Sequence, residues 1–107
     1  MMEGYGYICV AHEALCGKSG DARQQLQEAA HAFWKALLHE HTWPEPMRKR
    51  AAAAIALLFA RGTIEATIAA MADHEVRSAM EVLEQFTDQF LRGAGEEDAE
   101  GAPPVSL

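Results

Sequence analysis

The sequence predicts an all-α protein: a small bundle of four to five helices, residues 1–92, followed by a disordered acidic tail, residues 93–107. Three observations predict it. Apolar residues recur every three to four positions almost throughout, the signature of helices with one buried side. Alanine is abundant and aromatic residues make up only 7% of the 107-residue chain, a composition that favours helix over sheet. Half of the residues are hydrophobic, enough to bury a core at this length.

The first expected helix is Tyr5–Cys16, YGYICVAHEALC, with Tyr5, Ile8, Cys9, His12, Leu15 and Cys16 along one side. Gly17 suits the left-handed position that closes a helix. Asp21, with Gln24 three residues later, matches a capping box and opens a second helix running to about His41. Its inner stripe is Ala22, Leu26, Ala29, Ala30, Phe33 and Leu37, widened by Trp34 and Leu38. Pro44 and Pro46 exclude a helix interior but fit a first turn, so a third helix begins there and reaches Arg61. Its run AAAAIALLFA has no polar face, which predicts cover on most sides.

Gly62 ends that helix and Thr63 caps the next. From Thr63 to Arg92 the helical period continues, as one rod of about 45 Å or as two helices parted at Asp73. Asp73-His74-Glu75 has the acidic composition of a first turn, which favours the break. The last segment carries Val76, Ala79, Met80, Leu83, Phe86 and Phe90 inward. Beyond Gly93, GAGEEDAEGAPPVSL has the glycine, proline and carboxylate content of a disordered tail.

Charge and composition exclude several functions. The net charge of −7 includes four tail carboxylates, leaving a body near −3 with no general attraction for nucleic acid or anionic membranes. No signal-peptide pattern precedes the first helix, and the longest apolar run is about half of the ~20 residues that span a bilayer. The expectation is a soluble cytoplasmic protein that uses no cofactor.

Gly17-Lys18-Ser19 imitates the end of a phosphate-binding loop. Such a loop needs a glycine where this chain has His12, and it must follow a strand of a parallel sheet. No strand is expected, so the tripeptide reads as a connector.

Cys9, His12, Glu13 and Cys16 stand at i, i+3, i+4 and i+7, one helix face carrying four metal-ligand residue types. They form the candidate metal site, although ~10.5 Å of helix between the cysteines is long for one tetrahedral ion and exceeds the ~7 Å reach of a disulfide. A histidine of the second helix, His31, His39 or His41, is a conceivable fifth participant. The competing reading packs the cysteines as small hydrophobes. Arg48-Lys49-Arg50 is the one basic cluster and a candidate contact for nucleic acid or an acidic partner, placed where cations oppose the helix dipole.

Ser19 and Ser78 lack a histidine and acid at informative spacing, so no catalytic residues are expected and the chain does not read as an enzyme. The last helix carries a surplus of apolar residues, and Val82, Leu83, Phe86, Phe90 and Leu91 are the candidate interface of a homodimer. The preferred function is protein–protein interaction with self-association. The alternatives are a metal- or ligand-binding bundle and a weak nucleic-acid binder.

Overall fold

A computed structural model describes residues 2–17 and 21–101, the side chains of 94–101 excepted. Five α-helices follow one another: α1 Tyr5–Cys16, α2 Ala22–Ala36, α3 Glu45–Leu58, α4 Ile64–Ala70 and α5 Asp73–Gly101. A 3-10 segment, Leu37–Thr42, continues α2. Among the described residues there is no strand, and Tyr7 to Val10 lie within α1. No helix among them is long and apolar enough to cross a membrane.

Local chemistry sets the helix starts. Asp21 is extended, and its carboxylate accepts from the Gln24 amide at 2.9 Å, satisfying one of the amides that a first turn leaves without a partner. Thr63 does the same for Ala66 at 3.0 Å. Between α3 and α4, Gly62 adopts φ +98°, a backbone state that side chains disfavour, and so turns the chain. Gly17 is extended rather than left-handed. The carbonyl end of α1 is instead met by Gln25, whose amide donates to Ala14 at 3.4 Å and to Gly17. The connector residues 18–20 lie outside the described residues.

The continuous period from Thr63 is broken ahead of Asp73. Met71 is extended at ψ 142°, and α5 restarts with Ala72 at the capping position. Alanine has no side-chain acceptor, so Glu75 supplies the other half of a capping box, accepting from the Ala72 amide at 2.8 Å. Asp73 is not the cap; its carboxylate meets Arg23 of α2 at 3.1 Å. The same guanidinium donates to the Ile68 carbonyl of α4 at 2.6 Å. One arginine thus holds the last turn of one helix and the first turn of the next. At its far end α5 continues past Gly93; the tail residues 102–107 lie outside the described residues.

The core is gathered around α2 and α5. Phe33 meets Phe86 edge-on at 5.1 Å, Trp43 meets Phe90 edge-on at 5.1 Å, and Trp43 also lies 5.8 Å from Phe86. Edge-to-face contact is the favoured geometry for aromatic quadrupoles. Trp43, expected only to mark a helix end, is buried and donates its indole N–H to the Glu3 carbonyl at 2.7 Å. The Glu3 amide in turn donates to Thr42 Oγ1 at 2.8 Å. This strap brings Gly4, at φ +89°, so close to α2 that an added Cβ would lie 3.2 Å from the Ala36 carbonyl.

Two packing expectations need correction. The inner side of α1 is Ile8, Ala11 and Leu15, while Tyr5 and Cys16 are exposed. Along α3 only Met47, Ala51, Ala54 and Leu58 are buried. Ala52, Ala53, Ala56, Leu57 and Ala60 face outward, although the run contains no polar side chain. Phe33→Ala removes a fully buried ring and is expected to lower stability by about 3–5 kcal/mol. Leu38→Ala, at a site 75% exposed, should stay within about 0.5 kcal/mol; urea unfolding of both variants checks the contrast.

Candidate functional site

The four residues of the expected metal face share one side of α1 but differ in exposure. Cys9 is half-buried, Glu13 and Cys16 are exposed, and His12 lies partly buried between α1 and α5. Both nitrogens of His12 are engaged, Nδ1 with Thr87 Oγ1 at 3.1 Å and Nε2 with Cys16 Sγ at 3.6 Å. Among the described residues no three His, Cys, Asp or Glu side chains converge as a metal cage would require. Two histidines of the second helical segment are engaged elsewhere. His31 pairs with Glu65 of α4 at 2.7 Å, and His39 pairs with Glu3 at 3.3 Å while stacking on Tyr7.

Thr87 was not singled out by sequence and is completely buried. Its hydroxyl donates to the Glu84 carbonyl at 3.1 Å, one turn back on α5. That bond uses the hydroxyl hydrogen, leaving the oxygen free to accept from a ring N–H. Beside His12, the side chains of Glu81, Glu84, Gln85 and Asp88 line a shallow groove of about 320 Å³. Asp88 shares its charge with Arg92 at 3.1 Å, and the groove remains acidic.

The expected interface residues divide. Leu83, Phe86 and Phe90 belong to the core of the chain itself, where Phe33 and Trp43 cover the two phenylalanines. The apolar surplus expected to need a partner is thus largely taken up by the 3-10 segment's exit and α2. Leu91 is half-buried, and Val82 alone of the five is exposed. It lines a depression with Arg50, Ala53, Gln85 and Gln89, next to the outward side of α3.

That side of α3 presents a run of exposed apolar residues. At 100° per residue, Ala52, Ala53, Ala56 and Leu57 occupy an arc of about 140°, and exposed Ala60 follows in the turn after the helix. On one flank Leu57 and Ala60 adjoin Ala70 and Met71 of α4; on the other, Phe59 leads to Trp34 of α2, ring centroids 6.2 Å apart. Trp34 and Leu38 are themselves exposed, at 52% and 75%. Arg48, Lys49 and Arg50 stand exposed at the amino end of this surface. Arg50 donates to Gln89, and none of the three forms an ion pair with Glu45 or any other described carboxylate.

The His31–Glu65 contact ties α2 to α4. Hydrogen bonding from its own backbone amide, and then from His31, holds the Glu65 carboxyl below the usual glutamate range. A carboxyl lowered in the folded state stabilises it at pH above the ordinary value, and the contribution is lost as pH falls through the lowered one. Glu65→Gln should therefore melt below the parent at neutral pH, and the two melting curves should converge as pH falls through that lowered value.

Comparison of the chain with protein-family models, with curated proteins and with solved structures finds no match in any of the three.

Proposed function

We propose that the protein is a small cytoplasmic helical module that acts through protein–protein contact, beginning with a second copy of itself, by way of the outward face of α3. The observation that carries this reading is the composition of that face. From Ala51 to Ala60 the helix and the turn that follows it offer no polar side chain, yet only three of those residues are buried. A solvent-facing helix normally carries polar residues on that side, and contiguous apolar surface on a folded domain marks contact with another molecule.

The shape of the face favours another helix. Ala52 and Ala56 stand one turn apart and present no bulk, so a facing helix can approach closely, with Leu57 and Val82 along one edge and Phe59 and Trp34 along the other. A two-fold axis is the commonest way for one patch to cover itself. Antiparallel pairing of α3 with α3 also supplies what the basic cluster near the start of the helix lacks. It sets Arg48, Lys49 and Arg50 against the carbonyl end of the facing helix, where the dipole is negative.

Light scattering during size-exclusion chromatography tests this directly. The expected mass at micromolar concentration is twice 11.7 kDa. Ala56→Glu, which puts a charge at the centre of the face, should return the particle to 11.7 kDa with its helical circular dichroism unchanged. A wild-type particle of single-chain mass across the micromolar range would sink the reading.

A further inference from the structure

We infer that Cys16 is a thiol–disulfide exchange site, with His12 as its base, Thr87 as the residue that positions that base, and the acidic groove of α5 selecting small disulfides that carry amines. The argument begins with hydrogens. The Glu84 carbonyl can only accept, so the Thr87 hydroxyl hydrogen points to it at 3.1 Å. Thr87 Oγ1 then accepts from His12 Nδ1 at 3.1 Å, which fixes the proton of the neutral ring on Nδ1. Nε2 is left as a lone pair, and the atom facing it is Cys16 Sγ at 3.6 Å. With the neutral ring in that tautomer, the thiol is the donor of that contact. Nucleophile, base and orienting group thus stand in the order that activated nucleophiles require.

The arrangement distinguishes the two cysteines. Cys16 is exposed, whereas Cys9 on the same helix is half-buried, and both nitrogens of His12 are already engaged elsewhere. Cys16 also ends α1, where the helix dipole lends a thiolate no support. A base that takes the proton as sulfur attacks therefore matters more here than at a helix start.

In the exchange, His12 Nε2 takes the proton from Cys16 Sγ while the sulfur attacks one sulfur of the incoming disulfide. A new bond forms between Cys16 Sγ and that sulfur as the original S–S bond breaks. The departing thiolate takes the proton back from the imidazolium. One thiol is consumed and one released, so no outside oxidant is needed. The groove lined by Glu81, Glu84 and Asp88 adjoins His12. Its charge favours a cationic disulfide and opposes an anionic one, although Arg92 offsets part of the charge on Asp88.

Mixed-disulfide formation on the full chain, followed by intact mass and peptide mapping, tests the site with cystamine as the cationic probe and oxidised glutathione as the anionic one. Cys16 should react at least about tenfold faster than Cys9, and faster with cystamine than with glutathione. Salt should shrink that preference, as should the double change Glu81→Gln and Glu84→Gln. His12→Gln should slow Cys16 toward the rate of Cys9 while the rate at Cys9, an internal report on the fold, stays put. Thr87→Val should slow Cys16 in the same sense and Thr87→Ser restore it. This pair carries the test if His12→Gln loses its helical circular dichroism. Equal rates at the two cysteines, or a Cys16 rate indifferent to both His12 and Thr87, overturn the assignment. Equal rates with the two probes at low salt overturn the role of the groove.

Discussion

The buried indole of Trp43 is the contact on which the rest of the architecture depends. It lies where α2 has loosened into a 3-10 segment and α3 has not begun, and three directions of chain meet on it. Phe86 and Phe90 bring α5 to its faces and edges, and its N–H holds the Glu3 carbonyl. A large aromatic side chain contributes most when its apolar body is buried and its polar tip finds a partner, and both conditions are met here. With Trp43 in place, α5 must run past the carboxyl end of α2. That path brings Thr87 to α1 and sets Val82 beside α3.

Helix existence was legible in the sequence because it is decided locally. The Asp21 and Thr63 caps and the Gly62 turn each involve residues a few positions apart, and each is found as expected. Which side of a helix is buried was less legible, because the neighbours decide it. In α1 the expected stripe of Tyr5, Ile8, Cys9, His12, Leu15 and Cys16 held Ile8 and Leu15 correctly, but the third buried residue is Ala11 rather than a cysteine. Alanine and cysteine are too alike in size and polarity for periodicity to separate them. In α3 the difficulty was greater. A helix apolar all round carries no marker of its inner side, and only its neighbours, α5, α4 and the 3-10 segment, fix Ala51, Ala54 and Leu58 as buried.

Trp43 itself escaped notice for a related reason. It sits between proline-rich and 3-10 segments, outside any helical period that would have flagged it, and its partners lie about forty residues away in either direction. The contacts around His12 divide in the same way. The spacing of His12 and Cys16 was visible, since they are one turn apart, but Thr87 lies 75 residues further on. A buried threonine bonding to the carbonyl three residues before it looks, in sequence, like any other residue of an amphipathic helix.

The alanine surface of α3 has an energetic character of its own. Alanine has no rotamers to freeze, so whatever closes over Ala52, Ala53, Ala56 and Ala60 immobilises almost no side chain there. The same smallness limits how much apolar area each residue removes from water. Contact on such a strip is entropically undemanding and individually weak, so discrimination between one occupant and another falls to the bulky margins. Trp34, Leu57 and Val82 occupy those margins, and exchanging them while keeping the alanines would leave the strip itself intact but alter what it could discriminate.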